Sequence, residues 1–190
     1  MDISHEEAQF IVTGFRNAYP LVRSMWHAFN KSALAAVRNP GVPFQTHHTQ
    51  FKVVKSKGRV YLQMILPSGR ALYYNQPQIV EGTYGEEVGF YGIEQTTHQW
   101  TLKSQTPGKW TENVIQAIAR DILYHGKLAL QSAGYKVVAS IYDEVLAEVP
   151  ESYGMGKFDE FVGLMCSKPE WAKTLPLKAD GWVGKRYRKE

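Results

Sequence analysis

The residues best suited to chemistry are Asp143 and Glu144, adjacent carboxylates in the middle of segment 136–149 (KVVASIYDEVLAEV). Val137, Ala139 and Ile141 precede them and Val145, Ala147 and Val149 follow, the alternation expected of the two arms of a β-hairpin. That spacing puts both carboxylates at the hairpin tip, next to the bulky Tyr142. Magnesium-type cations take oxygen ligands, so carboxylates on a rigid turn can anchor one. Acidic residues at turns more commonly do nothing but face water. What sets this turn apart is Tyr142 and the segment that precedes it.

Residues 107–132 (PGKWTENVIQAIARDILYHGKLALQS) predict a long helix, with Pro107 in the first turn and Gly134 as its stop. Thr111, Ile115, Ile118 and Ile122 recur at helical spacing as an apolar seam. Lys109, Asn113, Gln116 and Arg120 recur as a polar row. Amide and guanidinium groups in such a row can hydrogen-bond base edges or phosphates along a duplex; an ordinary solvated helix face has the same look.

Other elements must position this helix and hairpin. Residues 4–17 predict a helix capped by Ser4, with Ala8, Ile11, Val12 and Phe15 as a packing stripe. Pro20 interrupts, and a second helix runs from 21 to 38, with Leu21, Met25, Phe29 and Leu34 inward and Asn39-Pro40-Gly41 as its stop. Residues 50–56, 59–65 and 70–74 are β-branched or aromatic runs separated by the turn sequences Lys57-Gly58 and Pro67-Ser68-Gly69, which makes a β-meander. Short strands continue through 75–105 around Gly89 and Gly92. Beyond the hairpin, helices are expected at 155–166 and 168–174 and a strand at 175–178. The chain ends in a basic cluster, Lys185 to Lys189. No internal repeat or linker composition marks a domain boundary. The fold class expected is α+β, with long helices packed on an antiparallel sheet.

Composition narrows the function classes. The chain has 190 residues, 44% of them hydrophobic, enough to build a core and too many for a disordered chain. Its net charge of +4 is compatible with nucleic acid without requiring it. Cys166 is the single cysteine, so neither a disulfide framework nor a zinc-ligand pattern is possible on cysteine. The adjacent His47 and His48 read as a loop pair. No signal-peptide layout or membrane-length apolar run occurs, and a cytoplasmic location, in a bacterium or a phage-infected host, is expected.

Three segments taken in order resemble family A (bacterial polymerase I-like) DNA polymerases of the phage type. Gly108-Lys109-Trp110-Thr111-Glu112-Asn113-Val114-Ile115-Gln116-Ala117-Ile118-Ala119-Arg120-Asp121 is similar to the family's palm helix, GKL-x-EN-x-x-QA-x-AR-D. Tyr142-Asp143-Glu144-Val145 matches the catalytic His-Asp-Glu hairpin except at its first residue. Ala179-Asp180-Gly181-Trp182 through Arg186-Tyr187 is like the closing segment of phage polymerases, and the two opening helices resemble the stretch after the fingers helix. The resemblance is weakest at 43–105. It implies a palm portion with a catalytic hairpin, in which Asp143 binds Mg2+ and Glu144 supports it. It further implies that Gln116 reads the minor-groove edge of primer–template DNA, with Tyr142, Asn113, Arg120 and Lys109 as further DNA contacts. Tyr142, where histidine is usual, stays neutral near neutral pH and is expected to make contact rather than transfer a proton.

Family members also carry a first metal-binding aspartate in an upstream strand and a fingers helix that grips the incoming deoxynucleoside triphosphate. No segment before residue 40 resembles either. The expectation is a chain that is inactive alone: either part of a split polymerase whose two-metal site an upstream polymerase polypeptide completes, or a truncated prophage remnant. A non-catalytic module that binds DNA through the polar helix face and the basic tail is the alternative.

Overall fold

The structure, a computed structural model, describes residues 3–83 and 85–187. It is α+β, and it divides into two compact units, one up to Ile115 and the other from Gln116 on.

The first unit opens with helices α1 (His5–Ala18) and α2 (Pro20–Arg38). Ser4 caps α1 in a reciprocal capping box: its hydroxyl accepts from the Glu7 amide at 3.2 Å and Glu7 Oε2 accepts from the Ser4 amide at 2.9 Å. Pro20 starts α2, where its missing N–H costs nothing. Six antiparallel strands follow in sequence order: β1 (Phe44–Thr46), β2 (Thr49–Ser56), β3 (Arg59–Ile65), β4 (Ala71–Gly82), β5 (Gly85–Ile93) and β6 (Trp100–Gln105). Two-residue turns join the first three. His47 and His48 (φ 44° and 60°) close the β1–β2 hairpin as the loop pair expected, and Lys57-Gly58 (φ 48° and 77°) closes the next. Left-handed residues at both turn positions match the twist of the strands.

Strand β4 runs well past residue 74. A bulge between Asn75 and Gln78 lets it continue, with Gln76 left-handed (φ 48°) and Pro77 in a place where a missing N–H is tolerated. One sheet face forms the core. Phe51, Leu62, Met64, Tyr74 and Val88 are buried there with Phe29 and Leu34 of α2. Trp110, in the first turn of α3 (Pro107–Ser132), is fully buried and meets the Phe51 and Tyr74 rings edge-on, with centroids 5.3 and 4.8 Å away. Its indole N–H donates to Asn30 Oδ1 at 3.3 Å, so the largest core side chain leaves no orphan donor.

The α1 packing stripe is not realised. No residue of α1 is buried; Phe10 is 79% exposed, Ile11 and Phe15 are exposed too, and Leu21 at the start of α2 is 84% exposed. Phe15 is tilted against Tyr19 and stacks face-on with Trp26, so the helix leans on α2 through this ring stack. The seam on α3 is realised in part: Thr111 is buried, Ile118 and Ile122 are half-buried, and Ile115 is left out. Trp110, Thr111, Val114 and Ala117 are buried while Ile115 is 57% exposed. Two apolar rows lie side by side on this helix, and the one containing the large indole takes the core.

The second unit contains the rest of α3, the two-stranded sheet β7 (Lys136–Ile141) and β8 (Glu144–Glu148), a 3-10 turn (Glu151–Lys157), helix α4 (Phe158–Met165) and a short 3-10 turn (Glu170–Ala172). Gly134 (φ 88°) ends α3, and the Tyr135 amide returns to the Leu130 carbonyl at 3.0 Å. Gly126 is where α3 touches the end of α4; a Cβ there would stand 3.0 Å from the Met165 carbonyl oxygen. Tyr135 packs edge-on against Phe161 at 5.2 Å. Residues 175–178 form no strand, and Pro176 removes a backbone donor that a ladder would need.

Candidate functional site

Strands β7 and β8 pair from Lys136–Glu148 to Ile141–Glu144, with a bulge between Val137 and Ala139. Tyr142 and Asp143 are therefore the whole loop. Primed hairpin turns need a left-handed first residue, a place that favours glycine or asparagine. Tyr142 occupies it with φ 53° and is 96% exposed. A bulky residue in this region carries backbone strain, and nothing in the fold explains its ring. The Ser140 hydroxyl donates to the Glu144 carbonyl at 3.2 Å, and Lys136 pairs with Glu148 at the hairpin base. That pairing holds the Glu148 carboxyl below its ordinary value.

Asp143 and Glu144 are both exposed, as the sequence spacing requires of a hairpin tip. Glu144 Oε2 accepts from the Tyr187 hydroxyl at 2.9 Å. This bond to a carboxylate is the main reason the Tyr187 phenol is pushed up from its ordinary value. Sequence reasoning had Tyr187 within a terminal motif and gave it no role; its return to the hairpin is a contact of 43 residues' separation that no local pattern encodes. Lys185 approaches Glu151 at 3.7 Å. Arg188 and Lys189 of the basic cluster lie outside the described residues.

The four members of the polar row on α3 meet different surroundings. Asn113 is half-buried, and its side-chain N–H donates to the Tyr74 hydroxyl at 2.8 Å. Burial pushes that phenol up to about 12, and the Asn113 bond only partly offsets it. Lys109 is exposed and pairs with Glu112 at 2.9 Å, one helical turn on. Gln116 is exposed. Arg120 is exposed and lies over the Tyr124 ring, 5.3 Å from its centroid, while Lys127 approaches the same ring at 4.9 Å. Hydrogen bonding from Arg120, its charge and that of Lys127 hold the Tyr124 phenol below its usual value.

The hairpin's oxygen donors are of the kind a magnesium ion accepts. Among the described residues, however, no three His, Cys, Asp or Glu side chains converge as a metal-binding group. Asp143 and Glu144 can supply part of a coordination shell. No helix among the described residues is long and apolar enough to cross a membrane.

Comparison with known proteins gives one strong likeness. The chain is 32% identical over 191 aligned residues to the DNA polymerase of Bacillus phage SP02, a match covering 100% of this chain and 28% of that polymerase. The chain is thus similar, from end to end, to a portion of a phage DNA polymerase, and it spans little more than a quarter of that protein's length. No family model matches the chain. No solved structure matches it either.

Proposed function

We propose that this chain is the C-terminal fingers-end and palm portion of a family A, phage-type DNA polymerase. It acts in the cytoplasm on primer–template DNA and deoxynucleoside triphosphates, in template-directed nucleotidyl transfer. The observation that carries the reading is the placement of Asp143 and Glu144 at an exposed hairpin tip, in a chain that resembles a phage polymerase throughout.

In this reading Asp143 gives one carboxylate to a two-magnesium site and Glu144 supports it. Two magnesium ions held there would supply activation of the primer 3′-oxygen and stabilisation of the departing pyrophosphate. The remaining ligands belong to an upstream polymerase portion, so the chain needs that partner for activity. Glu144 is fixed by Tyr187, which leaves Asp143 as the freer ligand. Gln116 projects from α3 as an uncharged donor and acceptor suited to minor-groove edges, which look alike for every correct base pair. Arg120 and Lys109 serve phosphates. Asn113 links α3 to β4 first and contributes to DNA through that position. Tyr142 stands ready to touch the primer end.

The test is primer extension with magnesium, using the chain alone and together with the upstream portion of the polymerase. Extension is expected only in the mixture, and Asp143→Ala should lower it on the order of a hundredfold or more with little change in DNA affinity. Collapse of DNA binding in that variant, with extension per bound complex intact, would sink the metal assignment in favour of a non-catalytic DNA-binding module.

A further inference from the structure

The six-stranded sheet has a second face, opposite the core. Register places Lys52, Tyr61, Tyr73 and Tyr91 on it, with Arg59 at one end and Trp100 on the edge strand β6. None of these six side chains is buried; Tyr73 is 61% and Trp100 59% exposed. Tyr61 and Tyr73 meet edge-on, with centroids 6.0 Å apart, and Gln63 donates to the Tyr73 hydroxyl at 3.2 Å. The rings are therefore braced rather than loose. Tyr61 and Tyr91 flank Asn75 across three strands, which sets them about 10 Å apart.

The charge on this face has one sign. Lys52 and Arg59 have no acidic partner among the described residues. The face's strand carboxylate, Glu87, is withdrawn: it is buried, packed under Gly82, and accepts from the Ser104 hydroxyl. The other strand acids near it, Glu81 and Glu86, point to the opposite side, where Glu86 pairs with Arg38. Exposed aromatic rings, amides and unpaired cations, with no exposed carboxylate between them, are what a protein uses to hold single-stranded nucleic acid without regard to sequence. Bases stack on rings and the backbone follows the cations. A duplex offers no free base faces to such a surface.

We propose that this outer sheet face binds single-stranded DNA. In the polymerase reading, on which the identity of the strand rests, its natural occupant is the unpaired template. The assignment accounts for the exposure of the Tyr73 and Trp100 rings on this face.

The experiment measures fluorescence anisotropy of labelled oligothymidylate with the full chain, against a duplex of the same length. Tyr73→Ala and Trp100→Ala should each weaken oligothymidylate binding at least about fivefold, with duplex binding unchanged. Tyr73→Phe, which keeps the ring, should retain it. Lys52→Gln should flatten the salt dependence by somewhat less than one unit of slope. Both aromatic positions are exposed, and circular dichroism with an unchanged urea midpoint verifies that the variants fold. Unchanged oligothymidylate affinity in both alanine variants, or equal losses for duplex and single strand, overturns the proposal. Primer extension by Asp143→Ala is read separately, so failure of the polymerase reading does not mimic failure of this one.

Discussion

The sheet core of the chain up to Ile115 and the hairpin tip beyond it use the same residue types in opposite ways. In the core of the first unit four aromatic residues are structural: Phe29, Phe51, Tyr74 and Trp110 interlock edge-on, and Trp110 has its indole N–H satisfied by Asn30. In the second the most conspicuous aromatic, Tyr142, is almost wholly in solvent and strained at a turn. Polar groups follow the same division. The Tyr74 hydroxyl is enclosed and bonded to Asn113, whereas the hairpin carboxylates face water. A core stabilises by removing apolar area from water, and a site that receives a metal or a strand must leave its polar atoms accessible. The aromatic core and the hairpin tip draw on separate stretches of this sequence.

Substitutions can break that contrast. The largest effect is expected from Trp110→Ala, which empties the centre of the first core and orphans the Asn30 carbonyl. It should destabilise by about 3–5 kcal/mol, read as a fall in the urea midpoint.

Next comes a pH effect. The Tyr74 phenol ionises at about 12 in the fold against an ordinary 10.0, so the fold favours the protonated form. Its contribution is complete below about pH 10 and is lost as pH rises from there toward 12, by up to roughly 2–3 kcal/mol. Tyr74→Phe should be slightly less stable at neutral pH, through loss of the Asn113 bond, and should lack this alkaline decline. Urea midpoints of the two proteins that fall in parallel above pH 10 would contradict the assignment.

The smallest effect sharpens the comparison from the other side. Asp143→Ala, silent in structural terms, should move stability by no more than about 0.5 kcal/mol while extinguishing extension in the reconstituted mixture.

Much of the fold was legible wherever local chemistry decides structure. The Ser4 cap, the turns at Lys57-Gly58 and Pro67-Ser68-Gly69, the stop at Gly134 and the hairpin around Asp143 each follow from a side chain acting within a few residues of itself. Where the sequence misled, a tertiary choice was involved. Periodicity located an apolar seam on α3 but did not show that Trp110, Val114 and Ala117 beside it would be buried while Ile115 stays exposed. Periodicity also marked a stripe on α1, although an apolar stripe records an ability to pack and not a partner within reach. Residues 175–178 have strand composition but form no ladder, and Pro176 among them cannot donate to one. Of the candidate site, alternation gave only the position of Asp143 and Glu144 at a hairpin tip. The Tyr187–Glu144 bond and the Asn113–Tyr74 bond were not readable, since each joins residues far apart in sequence.

The capping box on α1 has a consequence for how the molecule breathes. Ser4 and Glu7 fix the start of this helix, yet it buries no residue, so opening it exposes little new apolar surface. Such an opening costs little free energy and barely depends on denaturant. Amide hydrogens of α1 should exchange orders of magnitude faster than those around Phe29, Ala33 and Ala36 in α2, which are sealed against the sheet. By the same measure, anything that settles on Phe10, Ile11 and Phe15 would announce itself first as a slowing of exchange along α1, before any change in the global unfolding curve.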